Sequence, residues 1–405
     1  MAAKSRTRKK KSSPARKTRA KKTTKKTTKK KPAGKKTSPK RKGGKKKTGS
    51  RKKTSGRKSA KKRATKKASR KKTGRKKTSR TGGKKSARGK KRARIASARR
   101  KRPSSGQRKD KKPTRPLKIV RTVKDMRRYL SDVGAKRRKV ALVPTMGYLH
   151  EGHLSLVREA RRLASVVVVS VFVNPAQFGP AEDLDRYPRD LSGDRRKLRR
   201  EGASVLFAPD TAEIYPEGFQ TYVEVTEVTR DYCGASRPGH FRGVTTVVSK
   251  LFNIVKPDVA IFGQKDFQQL VAIRRLVKDL DMQVEIVGMP TFREEDGLAM
   301  SSRNAYLSPS QRQQATAIFR GLRKAKRLLD SGERDSAELA AIVLDLLREE
   351  QDMRIEYVAV CDPQSLERVP EVESEAVLLV AVRIGDTRLI DNIQLNVRRK
   401  RARRK

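Results

Sequence analysis

The chain is 405 residues long and carries 106 Lys or Arg against 41 Asp or Glu, for a formal net charge of +65. The excess sits at the ends: residues 1–116 hold 57 basic residues and a single acid, Asp110, residues 398–405 (RRKRARRK) add +7, and residues 117–397 are left with +2. Two cysteines, Cys233 and Cys361, exclude a disulfide framework or a thiolate metal cluster and point to a reducing, cytoplasmic compartment; the longest apolar run, 166–173 with Ser170 inside it, is far short of the ~20 residues that span a bilayer, and no apolar segment follows the basic N-terminus as in a secretory signal.

In chain order the first segment is low in complexity, built from words such as Lys21-Lys22-Thr23-Thr24-Lys25-Lys26-Thr27-Thr28. No Val, Leu, Ile, Phe or Tyr precedes Ile95. With so little to bury, this stretch cannot offset roughly 1–2 kcal/mol of backbone entropy per ordered residue, and residues 1–116 are expected to be disordered. The segment resembles the Lys-rich tails of histone H1-like bacterial proteins. Its cations fit non-specific attachment to nucleic acid or another polyanion by counterion release, and hence association with the nucleoid. A solvated linker is the alternative.

From Leu117 the texture changes to short β-rich runs alternating with helical patterns, the mark of a parallel sheet. Strands are predicted at 140–144, 166–173, 205–208, 259–262 and 284–287. Helices are predicted through Leu154, Val157, Arg158 and Arg161, and at 190–201, 244–255 and 267–280. After Pro290 the pattern becomes two helices, 309–330 and 335–350, then strands near 355–360, 376–382 and 388–390. The expected architecture is therefore α/β: a Rossmann-like nucleotide-binding domain over 117–290, a smaller α+β domain over 291–397, and basic tails at 1–116 and 398–405.

The chemistry-bearing segments fall where strands give way to helices. Met146-Gly147-Tyr148-Leu149-His150-Glu151-Gly152-His153 follows the first long strand, at the place where an open parallel sheet binds phosphates. His150 and His153 are two of only three histidines in the chain; His240 is the other. Paired imidazoles there can donate hydrogen bonds to a phosphoryl transition state. In Gly263-Gln264-Lys265-Asp266, Lys265 offers a cation to phosphate, and Asp266 could hold Mg²⁺ or a ribose hydroxyl. Met300-Ser301-Ser302-Arg303 offers two hydroxyls and a guanidinium that could close over a triphosphate. Gln177 follows the 166–173 strand and should reach the same cleft. The Gly- and Pro-rich turn Arg237–Gly243 could approach an anion.

Together these segments, in this order from about Lys118 to Leu395, resemble the pantothenate synthetase family of the HxGH nucleotidyltransferase superfamily. The resemblance implies a two-step ligase. The carboxylate of (R)-pantoate attacks the α-phosphate of Mg·ATP to give pantoyl adenylate and pyrophosphate, and the amine of β-alanine then displaces AMP. It further implies that Met146–His153, Gly263–Asp266, Met300–Arg303 and the backbone near Phe292 bind ATP, and that His153 is the proton donor. Gln177 would contact pantoate and then β-alanine, Gln269 would contact pantoate, and His150, Lys265, Ser301, Ser302 and Arg303 would serve the chemistry. A homodimer is implied as well. The family commonly has Glu where Gln264 stands and Leu or Met at 300. Two rival readings are weaker. Another HxGH enzyme, a cytidylyltransferase or class I aminoacyl-tRNA synthetase, is disfavoured by the short body and by a Met300–Arg303 segment lacking the lysine of KMSKS. A nucleic-acid-compacting protein with a vestigial enzyme body is disfavoured by the intact motifs.

Overall fold

The computed structural model describes residues 116–397, all of them within one unit of the chain, Arg100–Lys405. The expectations for residues 1–115 and 398–405 lie outside the described residues.

Six strands, β1 (Lys118–Val120), β2 (Val140–Thr145), β3 (Val166–Val171), β4 (Val205–Phe207), β5 (Val259–Gly263) and β6 (Glu285–Met289), form a wholly parallel sheet in the order β1-β4-β3-β2-β5-β6. The central strands begin with apolar runs, Val140–Val143, Val166–Val169 and Val259–Phe262, because both faces are covered. Alternate residues Ala141, Val143, Val167, Val169 and Ile261 pack with α2 (Glu151–Leu163) and α3 (Leu191–Glu201). The opposite set, Val140, Leu142, Val166, Val168 and Ala260, packs against α1 (Val123–Asp132) and two later helices. Between β4 and β5 come two short helices, α4 (Thr211–Ile214) and α5 (Cys233–Ser236), then the long α6 (His240–Val255); α7 (Phe267–Asp279) joins β5 to β6.

Beyond β6 lie α8 (Pro309–Ser331), α9 (Ser336–Arg348) and an antiparallel sheet of β7 (Met353–Cys361), β8 (Glu375–Ile384) and β9 (Thr387–Asn396). One face of this sheet, with Val358, Val360, Val380 and Val382, closes a core with α8 and α9. The other face sends Ala359, Cys361, Val377 and Leu379 into the core that contains α6 and α7. The two sheets therefore share buried surface across the chain on either side of residue 290.

Three departures from the predicted elements have local causes. Strand β1 and helix α1 lie outside the predicted set; three residues are too few for a periodic signal, and α1 starts at Thr122, whose side chain accepts a hydrogen bond from Asp125 N. Helix α6 starts at His240, four residues before the predicted 244, because Gly239 at φ +81° turns the chain directly into it. Strand β9 runs to Asn396 instead of ending at 390, since a tight turn at Gly385-Asp386 pairs it with β8 along its whole length.

Candidate active site

Counting outward from β2, the chain builds the sheet first through β3 toward β4 and later, in the other direction, through β5 to β6. The order reverses between β2 and β5, and a crevice opens there at the carboxyl ends of the strands. Thr145 ends β2 and Gly263 ends β5, so the HxGH turn and Gly263–Asp266 leave the sheet side by side. The turn carrying Gln177 follows β3, on the other flank of β2.

One cleft is lined by Met146, His150, Gly152, His153, Gln177, Gly263, Lys265, Asp266, Gln269, Phe292 and all of Met300–Arg303. Gly147, Tyr148, Leu149, Glu151 and Gln264 do not line it. Leu149 is buried in the core beneath α2, and Glu151 points outward to an ion pair with Arg158. Gly147 (φ +88°) and Tyr148 (φ +50°) instead form a left-handed turn. Holding a tyrosine in that region costs about 1–2 kcal/mol, so other contacts must maintain it.

The two histidine rings of the turn lie against each other at a tilt of 35°, with centroids 4.0 Å apart. Burial, with Lys265 nearby, lowers the pKa of His150 to about 4. Burial, with His150 alongside, holds His153 well below 6.5. Both are neutral at pH 7. The backbone N–H of His150 donates to His153 Nδ1 at 3.3 Å. A backbone N–H can only donate, so Nδ1 is the unprotonated nitrogen of His153 and Nε2 carries the proton. His150 Nδ1 is buried without a partner, an orphan polar atom beside the cleft that a ligand group would satisfy.

Other side chains are pre-aimed. Asn174 Nδ2 donates to Gln177 Oε1 at 3.0 Å, which turns the Gln177 amide N–H₂ toward the sulfur of Met146, 3.2 Å away. A thioether is a weak acceptor, so a ligand oxygen could replace it. Gln268 and Gln269 divide their work: Gln268 is buried, holding Cys233 N and the carbonyls of Val228 and Asp231, whereas Gln269 faces the cleft. Asn392 of β9 donates to the carbonyls of Gln264 and Lys265, at 2.8 and 3.0 Å, anchoring that turn.

The Met300–Arg303 segment already touches the HxGH turn. Gly152 N donates to the sulfur of Met300, and Ser302 Oγ donates to Tyr148 O, each at 3.3 Å. The Arg303 guanidinium is not free: it forks onto Asp183 with contacts of 2.9 and 2.8 Å. Nor is Arg237, whose guanidinium is held by Glu182 and lies 2.9 Å from His240 Nε2. His240, lowered to about 3 by burial and by Arg237, bonds through Nδ1 to the Gln177 carbonyl at 2.9 Å. Arg237 and His240, the first residue of α6, thus brace the Gln177 loop, so the predicted turn Arg237–Gly243 ends at Gly239, where the helix begins.

Sequence reasoning missed Glu182, Asp183, Asp194 and Lys197. Asp194 is 1% exposed, and its carboxylate accepts from Tyr148 N and Leu149 N at 2.9 and 2.7 Å. Burial lifts its carboxyl above the ordinary range, and the two backbone hydrogen bonds pull the other way. One signal was available: Leu191, Asp194 and Leu198 follow helical spacing, which puts an acid on the apolar face of α3.

A family model described as Pantoate-beta-alanine ligase matches residues 118–394. The chain belongs to the pantoate-beta-alanine ligase family. Among relatives in that family, the pantothenate synthetase of Syntrophotalea carbinolica is 55% identical over 254 residues, covering 63% of this chain and 90% of its own. The Geobacter sulfurreducens pantothenate synthetase is 54% identical over 279 residues, covering 69% and 99%. The crystal structure of pantothenate synthetase from Thermus thermophilus matches at 48% identity and a TM-score of 0.67, over 69% of this chain and 100% of that one. A pantoate-beta-alanine ligase from Francisella tularensis, complexed with beta-gamma ATP and beta-alanine, matches at 34% identity and a TM-score of 0.58, over 68% and 97%. The family match lies between the two basic termini.

Proposed function

We propose that this chain joins (R)-pantoate to β-alanine at the expense of ATP, giving pantothenate, AMP and pyrophosphate through pantoyl adenylate. The observation that carries this reading is the convergence of the HxGH turn, Gly263–Asp266 and Met300–Arg303 on one cleft at the β2/β5 reversal, in a chain of this family.

A carboxylate is a poor acyl donor until one of its oxygens becomes part of a leaving group. Gln177 and Gln269 hold pantoate so that a carboxylate oxygen bonds to the α-phosphorus as pyrophosphate departs. The N–H of His153 Nε2 and the His150 ring meet the phosphate oxygens as their charge redistributes. Both rings are neutral, which supports stabilisation by hydrogen bonding rather than net transfer of a proton from His153. Lys265, Ser301 and Ser302 receive the departing phosphates, joined by Arg303 once it exchanges Asp183 for phosphate. The amine of β-alanine, held by the Gln177 side, then attacks the acyl carbon and AMP leaves.

Mg²⁺ enters with the nucleotide. Among the described residues no cluster of three or more His, Cys, Asp or Glu could hold a metal ion, and Asp266 is the one carboxylate lining the cleft. The donor set fits a cation held chiefly by phosphate oxygens, with Asp266 as a protein ligand. Residues 291–397 act as a lid that brings Met300–Arg303 to the nucleotide. Residues 1–116 bind nucleic acid non-specifically, and the ligase acts as a cytoplasmic homodimer.

The deciding measurement is AMP release by the purified protein with each substrate omitted in turn. Release that requires both pantoate and β-alanine is expected; its absence with the complete mixture sinks the reading.

A further inference from the structure

The HxGH turn is gripped from behind by one helix. Asp194 of α3 accepts from the backbone N–H of Tyr148 and of Leu149. Lys197, one turn further along, donates to the Leu149 carbonyl at 2.5 Å. Asp194 also leaves no room beside Gly147, where a Cβ would lie 3.1 Å from its Oδ2 and 2.8 Å from Val171 Cγ1. Consecutive peptide groups of a left-handed segment are thus pinned by two side chains of α3.

The last of those peptides reaches the chemistry. In a trans peptide the C=O and N–H point in opposite directions. Lys197 on the Leu149 oxygen therefore sets the direction of the His150 N–H, which ends on His153 Nδ1. That donor holds His153 Nδ1 unprotonated and leaves the proton on Nε2.

We propose that Asp194, acting with Lys197 through the Gly147–His150 backbone, is a positioning residue of the ligase reaction: it aims the His150 N–H at His153 Nδ1 and so presents the Nε2–H of His153 to the phosphates. The proposal rests on the reaction assigned above. An isolated turn would not hold this geometry, because Tyr148 at φ +50° relaxes out of the left-handed region once its N–H loses the carboxylate. Stapling α3 to the turn for stability alone would need no particular nitrogen of His153 to carry the proton, which separates the two roles.

The full-length protein contains three histidines, so ¹⁵N-histidine labelling gives a spectrum simple enough to assign with His153→Gln and His240→Gln variants. Without substrates, wild-type His153 is expected as the Nε2–H tautomer. Asp194→Asn keeps the shape but turns an amide N–H₂ toward one of the two backbone donors. It should give a mixture of His153 tautomers and lower kcat for pantoate-dependent ATP–pyrophosphate exchange by about 10–100-fold, the usual range for a group that orients a reacting ligand, while KM for pantoate stays put. Should Asp194→Asn fail to fold, Lys197→Met tests the same linkage and should produce the same tautomer mixture. A wild-type His153 protonated at Nδ1 overturns the proposal, as does a folded variant whose tautomer is unchanged. The expected tautomers in a protein with no pantoate-dependent exchange would support the positioning and overturn the assigned reaction instead.

Discussion

At the scale of single residues, the neutral state of the two HxGH histidines governs what they can do. A neutral imidazole donates through one nitrogen only, and in His153 that nitrogen is Nε2. Replacing His153 with Ala should reduce the rate of adenylate formation by about 10²–10³-fold, the usual loss for one transition-state donor, read by pantoate-dependent ATP–pyrophosphate exchange. The same lowered pKa values fix a pH dependence of stability. Unfolded histidines take up a proton near 6.5, whereas folded His150 resists until about 4. Below 6.5 the unfolded state binds more protons, so stability is fully present above that pH and falls as the pH drops toward 4, where the contribution from His150 levels off. Urea midpoints at pH 7 and pH 5 should show the fall, and His150→Gln should reduce it; an unchanged pH slope in that variant would contradict the burial of a neutral ring.

Among elements, α6 and the turn bearing Gln177 meet backbone to backbone beside the cleft. Gly243, in the first turn of α6, sits so close to that turn that a Cβ would lie 2.2 Å from Ala176 O and 2.6 Å from Gln177 N. Both atoms are backbone and cannot swing aside. Gly243→Ala should therefore cost about 1–3 kcal/mol, seen as a lower Tm, and should raise KM for pantoate by displacing Gln177; a variant with wild-type Tm and KM would show that the turn moves freely. The predicted strands and long helices were legible because each carries its own local signal: four successive valines, Val166–Val169, in β3, and 3.6-residue spacing in α7. The start of α6 was not legible, since it depends on a left-handed Gly239 and on the docking of His240 against the Gln177 carbonyl. The full length of β9 escaped for a similar reason: Asp391 and Asn392 are buried polar residues that read as a strand end, yet they hold Arg293 and the Gln264–Lys265 carbonyls.

For the whole molecule, the tails and the body differ in kind. Deleting residues 1–116 should abolish binding to duplex DNA of unrelated sequences while leaving kcat and Tm unchanged, and the binding of the full chain should weaken steeply with salt. Retention of DNA binding by the truncated protein would place the affinity in the body instead. The sequence by itself determined the α/β class, the places where strands deliver the HxGH, Gly263–Asp266 and Met300–Arg303 segments, and the contrast between a near-neutral body and strongly basic ends. These follow from local periodicity, motif order and composition, which a chain carries before it folds. Only the tertiary structure decided that Arg303 is paired with Asp183 and that His153 carries its proton on Nε2. It also made the opening feature of the motif, the turn before His150, depend on Asp194 and Lys197 some 45 residues later. The protonation and aim of a buried group are set by whatever packs against it, and those neighbours are distant in sequence.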